Sequence, residues 1–381
     1  MRLFFRRLWY RLTTPPPEHW RKQLIKLPWL LLLPLALGLK ELGAANSLMV
    51  EKYYSTGFYP IVSQAIGFLF GWMPFSAAEM ILYIGIVALI TYVIYQLVCI
   101  FIKKDRVIRA FRTLVNLALI GSVGYFLFVA VWGLNYYRQP LATTLGYKVT
   151  PRSVTDLGLL CEKLAKSANE LREGLNENVH GIYTLKEGKL EKMRQVPEAY
   201  KALGREFKLF GASYGPPKPV LLSRELSYTN IEGIYIPLTV ESNINMDMPD
   251  SAIASASCHE MAHKYGYARE DEANFVAYLA CMASGDREMM YSGTLLALTT
   301  SMNALSGWDG DKYWEIRETY SERVNRDMNA EWQYWKKFEG PVAETSGDIN
   351  NAYLKSNKQT DGVKSYGRMV DLLLAKMAAE K

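Results

Sequence analysis

Apolar residues form three long runs in the first third of the chain, at about 27–45, 77–102 and 114–134. A membrane-spanning helix needs about 20 predominantly apolar residues, so the pattern predicts three transmembrane helices. Lys40 and Glu41 interrupt the first run. Lys26 and Lys40 could still extend it, because long basic side chains reach from an apolar segment to the membrane surface.

The first run also has features of a cleaved signal peptide. A basic segment precedes it, and the small residues Gly43-Ala44-Ala45 follow it. We favour an uncleaved span, because Lys40 and Glu41 lie where a cleavage region should be small and uncharged.

Residues 53–76, between the first two runs, are aromatic and only partly apolar, with Pro60, Gly67, Gly71 and Pro74 as interruptions. Tyrosine and tryptophan favour the depth of the lipid headgroups. This composition predicts a segment that lies in the membrane interface and does not cross the bilayer.

Basic residues are concentrated in residues 1–26 and 103–112, whereas the loop 40–76 contains few. The positive-inside rule places the two basic regions in the cytoplasm. We therefore expect a membrane region at 27–135 and, after the third span, a domain at 136–381 outside the cytoplasm. A cleaved first run would leave this orientation unchanged.

The chain has 381 residues, of which 50% are hydrophobic, and a formal net charge of +6. Its positive residues lie beside the apolar runs and do not form a patch interleaved with aromatic residues, so we expect a lipid bilayer as a partner and no nucleic acid. Four scattered cysteines are too few for a disulfide scaffold.

The domain 136–381 has mainly helical spacing of apolar positions, with two strand-like pieces at 220–223 and 233–242. Pro237 indicates that the second piece lies at a sheet edge. An edge strand can bind an extended peptide through backbone hydrogen bonds, although an ordinary sheet edge has the same pattern. The expected fold class is mainly α with a small sheet.

The segment CHEMAHKYGY at 258–267 contains the strongest chemical signal. His259 and His263 are four residues apart, so on a helix both imidazoles lie on one face and can bind one metal ion. Glu260 is placed to take a proton from a metal-bound water. Asp250 is expected to cap the free amides at the start of this helix, and Gly266 predicts its end. The competing interpretation is a helix whose histidines are only packed or solvated.

A catalytic zinc ion usually has three protein ligands and one open position. The other two histidines, His19 and His180, lie far away in the sequence. A carboxylate from the acidic cluster Glu270, Asp271 and Glu272 is therefore the more economical third ligand.

The segment resembles two groups of zinc peptidases. HEMAHKYGYAR follows the HExxHxxGxx frame of metzincins, but Arg269 stands where their third ligand would be. EDEAN resembles the ExxAN segment of gluzincins, and this resemblance implies that Glu270 binds zinc and Asn274 supports a ligand histidine. Glu272 remains an alternative ligand, because the connection between the two motifs is unusually short.

Several segments together resemble an uncharacterised bacterial multi-span membrane family. They are the three apolar runs, YSTGFYP…PFSAAE, HEMAHKYGYAREDEANFVAYLAC and YLKSNKQTDGVKSYGRMVDLLL. The resemblance implies N-terminal transmembrane helices followed by an α+β zincin-like metallopeptidase domain on the outer face of the cell membrane.

We expect zinc (Zn²⁺) to activate a water for hydrolysis of a peptide or protein substrate, with Glu260 as the general base. Candidate donors for the developing oxyanion are Tyr366, Tyr353, Arg269 and Tyr265. Two alternatives stay open, namely a non-catalytic metal-binding scaffold or sensor of the cell envelope, and an amidase that acts on cell-wall peptides.

Overall fold

The computed structural model describes residues 18–102 and 106–380. Most of the predicted basic segment 1–26 lies outside the described residues, as do Lys103 and Lys104 of the predicted basic loop. Helices dominate the described residues and are accompanied by one small three-stranded sheet. This confirms the mainly α fold class with a small sheet.

Three helical stretches are long and apolar enough to cross a membrane, namely Arg21–Ala45, Ala77–Ile102 and Arg106–Val131. The first contains α1 (Glu18–Leu24) from its Arg21 onward, a 3-10 turn (Leu27–Leu31) and α2 (Leu32–Ala45). The third was predicted at 114–134, but its helix starts earlier and ends at Val131, where the chain tightens into another 3-10 turn.

The described parts of residues 1–42 and 81–130 form one compact unit. Within it, Lys26 Nζ donates a hydrogen bond to Asn116 Oδ1 (2.9 Å), and Lys40 Nζ donates one to the Tyr125 hydroxyl (3.0 Å). Polar groups in an apolar environment are stabilised by such partners. Both lysines are therefore paired with the same helix, Arg106–Val131.

The second compact unit contains residues 43–80 together with 131–381. The predicted domain began at 136, whereas the packing adds 43–80, which the sequence had assigned to the membrane region. Polar pairs explain the difference, because Ser55 Oγ donates to Asn135 Oδ1 (2.8 Å) and Arg138 forms an ion pair with Glu51 (2.7 Å).

The 43–80 segment contains α3 (Ser47–Met49), a π-helical stretch (Val50–Phe58) and α4 (Tyr59–Gly71), and it leads into α5 (Ala77–Ile102). After α6 (Arg106–Val131) and a 3-10 turn (Gly133–Tyr137), the helices before the sheet are α7 (Leu141–Leu145), α8 (Val154–Arg172), α9 (Lys189–Glu206) and a 3-10 turn (Lys208–Phe210).

Around and beyond the sheet, the helices are α10 (Ser223–Ser227), α11 (Asp250–Lys264), α12 (Glu270–Ala283), α13 (Arg287–Ser306), α14 (Gly310–Glu318), α15 (Glu322–Lys336), α16 (Pro341–Ser356), a 3-10 stretch (Gly362–Arg368) and α17 (Met369–Ala379).

The sheet contains β1 (Lys218–Pro219), β2 (Gly233–Ile236) and β3 (Glu241–Ile244) in the order β1-β3-β2, with β3 parallel to β1 and antiparallel to β2. The strand predicted at 233–242 is thus two strands joined by a turn that contains Pro237. The strand predicted at 220–223 is wrong, because β1 ends at Pro219 and helix α10 starts at Ser223, although Val220 N still donates a hydrogen bond to the Ile244 carbonyl oxygen (3.0 Å).

Helix α11 forms the centre of the second unit, and every residue from Ser251 to Lys264 is buried except His259, whose side chain is 13% exposed. Small residues line its first half, including Ala252, Ala254 and Ala256, so neighbouring elements approach closely. Cys258 and Cys281 are buried and form no disulfide, and Cys281 Sγ donates a weak hydrogen bond to Cys258 Sγ (3.7 Å). Within this helix, His259 is therefore the residue whose side chain reaches the solvent.

Candidate metal centre

The ends of α11 fix the position of its histidines. Gly266 follows the helix with φ +79°, a left-handed conformation that glycine adopts without strain, and this confirms the predicted helix end. The predicted cap is wrong, because the Asp250 side chain accepts a hydrogen bond from Leu185 N (2.9 Å) and caps no amide of α11. Its charge in the first turn still suits the helix dipole.

The two imidazoles are adjacent, with ring centroids 4.9 Å apart, and each is held through its Nδ1 atom. His263 Nδ1 lies 2.7 Å from the Tyr267 carbonyl oxygen, and His259 Nδ1 lies 2.7 Å from Asn274 Oδ1. A carbonyl oxygen only accepts hydrogen bonds, so each Nδ1 carries the proton. In each ring Nε2 is therefore the nitrogen that can bind a metal, once it carries no proton.

Glu270, the first residue of α12, faces both free ring nitrogens. Its Oε2 lies 3.1 Å from His259 Nε2 and 3.7 Å from His263 Nε2. Zinc–ligand bonds of 2.0–2.2 Å in a tetrahedron separate two ligand atoms by about 3.3–3.6 Å. The two spacings from Glu270 lie just below and just above that range, so they are compatible with one shared zinc ion.

Glu272 lies outside this cluster. Its Oε1 accepts a hydrogen bond from Leu141 N (2.6 Å) and pairs with Arg269 (2.8 Å). Arg269 also donates to the Gln139 carbonyl oxygen (3.1 Å). The structure therefore brings neither the alternative ligand Glu272 nor the candidate oxyanion donor Arg269 to the two imidazoles.

Glu260 is a second carboxylate beside the ring nitrogens. The possible ligand atoms of His259, Glu260 and His263 lie within 4.8 Å of one another. The start of β2 approaches Glu260 closely, because a Cβ added to Gly233 would lie 2.6 Å from Glu260 Cγ. Glu260 thus lies beside both the two imidazoles and the edge strand β2.

The protein environment changes how these groups ionise. Burial raises the pKa of Glu260 to about 8, against an opposing effect of His259. Burial lowers the pKa of His263 to about 4, although Glu270 opposes this shift. His263 is therefore neutral at physiological pH, as a metal ligand must be.

The pair His259 and Glu270 has the opposite character. Burial lowers the pKa of His259, but the hydrogen bond to Glu270 and the charges of Glu260 and Glu270 outweigh it, so the pKa rises to about 9. Burial raises the pKa of Glu270, but the same hydrogen bond and the two histidines bring it below its usual value. The cluster therefore attracts positive charge, which a proton or a metal cation can supply.

Aromatic residues from distant parts of the chain surround His263. Trp132 Nε1 and the Tyr59 hydroxyl donate hydrogen bonds to the His263 carbonyl oxygen (3.3 and 3.2 Å). The Tyr235 ring lies 6.0 Å from the imidazole. The sequence analysis missed all three. The only signal was that Tyr59 belongs to the segment YSTGFYP.

The three candidate tyrosines are placed differently. The Tyr366 ring is stacked beside His259 with centroids 6.4 Å apart, and a hydrogen bond from Tyr366 helps to lower the pKa of Glu270. Tyr353 accepts a hydrogen bond from Tyr136 (2.9 Å). The Tyr265 hydroxyl instead donates to the Ala212 carbonyl oxygen (2.8 Å), away from the imidazoles. Tyr366 is therefore the candidate donor that the structure places beside His259 and Glu270.

A family model described as "Protein of unknown function (DUF3810)" matches residues 54–374, which is most of the chain. The matched region contains α11, α12 and Tyr366, together with the 54–80 part of the segment that packs around His263. No curated protein and no solved structure matches the chain.

Proposed function

We propose that this chain, which belongs to the DUF3810 family, is a membrane-anchored zinc-dependent metallopeptidase. The convergence of His259 Nε2, His263 Nε2 and Glu270 Oε2 carries the proposal. Two imidazole nitrogens and one carboxylate oxygen are a donor set of catalytic zinc sites, which keep a fourth position open.

The surrounding residues fit this donor set. Both Nδ1 atoms are held by acceptors, which orients the rings and raises the basicity of the nitrogens that would bind the ion. We assign the third ligand to Glu270 and not to Glu260, because one Glu270 oxygen lies within 4 Å of both Nε2 atoms. Zinc, when bound, supplies a Lewis acid that lowers the pKa of water and polarises a carbonyl group.

Glu260 is the proposed general base. It takes a proton from the attacking water and returns it to the leaving amine. In the protein alone its pKa is raised to about 8, and a nearby cation would favour the carboxylate form. Tyr366 is the proposed donor to the oxyanion, because it lies beside His259.

Strand β2 offers a binding edge for an extended peptide. Asn245 N donates to the Glu232 carbonyl oxygen (2.9 Å), and in antiparallel pairing the hydrogen-bonded residues alternate. The backbone groups of Gly233 and Tyr235 therefore point away from β3, and the Tyr235 backbone is hydrogen-bonded to the Glu260 carboxylate. Gly233 lies against Glu260, so a peptide paired with this edge would pass the general base.

The cellular placement completes the proposal. The distribution of Lys and Arg in the sequence favours a multi-pass protein of the cell membrane with the metal centre outside the cytoplasm. Peptides or proteins of that compartment would be the substrates.

The test uses the purified full chain in detergent. Metal analysis should find about one zinc per chain in the wild type and in Glu260→Gln, and little in His259→Ala or His263→Ala. A peptide library should be cleaved by the wild type and not by Glu260→Gln. Undiminished cleavage by Glu260→Gln would refute the assigned base. Zinc binding without hydrolysis of peptides would instead favour a scaffold or sensor, or an amidase if cell-wall peptides are hydrolysed.

A further inference from the structure

Helix α4 has two faces with opposite surroundings. On its inner face Tyr59 is 1% exposed and Ser63 is fully buried, and the Tyr59 hydroxyl bonds the carbonyl oxygens of His263 and Lys264 (3.2 and 3.0 Å). On its outer face Ile61 is 72% and Phe68 is 87% exposed. One helix thus supports the metal centre on one side and exposes large apolar residues on the other.

The exposed surface extends beyond α4. The 215–222 segment runs alongside the end of this helix, because Lys218 Nζ donates to the Phe70 carbonyl oxygen (2.8 Å). Glu79 accepts hydrogen bonds from the amides of Leu221 and Leu222 (2.9 and 3.2 Å). The resulting apolar collar comprises Ile61, Phe68, Leu69, Trp72, Phe75, Leu221 and Leu222, all exposed.

The position of the collar in the chain indicates what covers it. The apolar helix α5 begins at Ala77, two residues after Phe75. The Glu241 carboxylate accepts hydrogen bonds from the first amides of that helix, at Ala77 and Ala78 (3.1 and 2.7 Å). No charged residue occurs from Tyr53 to Ala78. The collar is therefore continuous with a candidate membrane span, and an uncharged surface with an exposed tryptophan suits the bilayer interface.

We infer that the apolar collar rests in the bilayer interface and holds the metal centre close to the membrane surface. The substrates would then be membrane proteins that are cleaved next to a span. This second part rests on the proposed function.

The reach follows from the thickness of α4. The outer face of a helix lies about 5–6 Å from its axis. On the inner face, the Tyr59 side chain reaches from α4 to the backbone of His263 through its hydrogen bond. Together these lengths place the proposed metal ligands within roughly 20 Å of the nearest part of the collar. Extended chain covers that distance in about six residues. The expected cleavage sites therefore lie within about six residues of the end of a span.

The collar is tested with the full chain in vesicles of phosphatidylethanolamine and phosphatidylglycerol. The native cysteines are all buried, so a fluorescent NBD label can be attached to Phe68→Cys or Leu221→Cys, with the 96% exposed Val179→Cys as the control. Labels at 68 and 221 should show a blue shift and lose fluorescence when the lipids carry nitroxide groups, whereas the label at 179 should not. No loss at 68 and 221, or equal loss at all three positions, would overturn the inference. This readout does not depend on catalysis.

The substrate class is tested by comparing new protein termini in membranes that contain either the wild type or Glu260→Gln. Termini specific to the wild type should cluster within about six residues of predicted spans. Termini spread along soluble domains would overturn the inference but leave the proposed hydrolase intact. An absence of any difference would count against both.

Discussion

Replacement of Asn274 by alanine tests the metal centre without knowledge of any substrate. Asn274 is 8% exposed, and its side-chain oxygen lies 2.7 Å from His259 Nδ1. The variant removes this acceptor but keeps all three proposed ligands. The His259 ring would then lose the contact that orients it and fixes its tautomer.

The size of the effect follows from comparable sites. Loss of a residue that supports a ligand histidine lowers metal affinity roughly 10–100-fold, which corresponds to about 1.4–2.7 kcal/mol. A buried donor left without an acceptor costs about 1–3 kcal/mol, which is the same range. We therefore expect zinc to bind Asn274→Ala at least about tenfold more weakly than the wild type.

The assay is competition for zinc between the purified full chain in detergent and a chromophoric chelator. Asn274→Asp is the matched control, because it retains an acceptor at the same position and should keep most of the affinity. Circular dichroism checks that both variants are folded. A folded Asn274→Ala variant with the affinity of the wild type would show that His259 is not a ligand held by Asn274.

Three further outcomes are expected. Glu270→Gln should lose zinc whereas Glu272→Gln should keep it, as metal analysis of both would show, and the reverse result would make Glu272 the ligand. Gly233→Ala should retain zinc but lower the rate of hydrolysis roughly 100-fold, because the added Cβ would lie 2.6 Å from Glu260 Cγ and displace the carboxylate. An unchanged rate would show that the contact between β2 and Glu260 does not matter for hydrolysis. Zinc at 100 times its dissociation constant should stabilise the fold by about 2.7 kcal/mol, and a melting temperature indifferent to chelator would contradict a site formed only in the folded state.

Helical spacing predicted the orientation of His259 and His263, because residues four apart on a helix share a face whatever surrounds it. Gly266 and the acidic start of α12 predicted that the chain turns back at once, and the structure places Glu270 against both rings. The directions of the other candidate side chains could not be predicted from helical spacing. Arg269 points to Glu272 and Tyr265 to Ala212, since packing partners decide between such orientations.

Long-range contacts account for the rest of what the sequence did not show. Tyr59 and His263 are 204 positions apart, and an aromatic segment has the same composition whether it faces lipid or a protein core. The break between β2 and β3 was also hidden, because it involves Val240 at φ +52°, a conformation that β-branched residues rarely adopt.

The placement of residues 43–80 in the second unit has a consequence for biosynthesis. This segment leaves the ribosome before α5 and α6, but Asn135, Arg138 and His263, which it contacts, follow much later. Residues 43–80 therefore cannot pack until the later part of the chain has been made, and Ser55 and Glu51 lack their partners until then. A fragment that starts at 136 would lack these partners, so the unit that contains the candidate metal centre should complete its folding only late in synthesis.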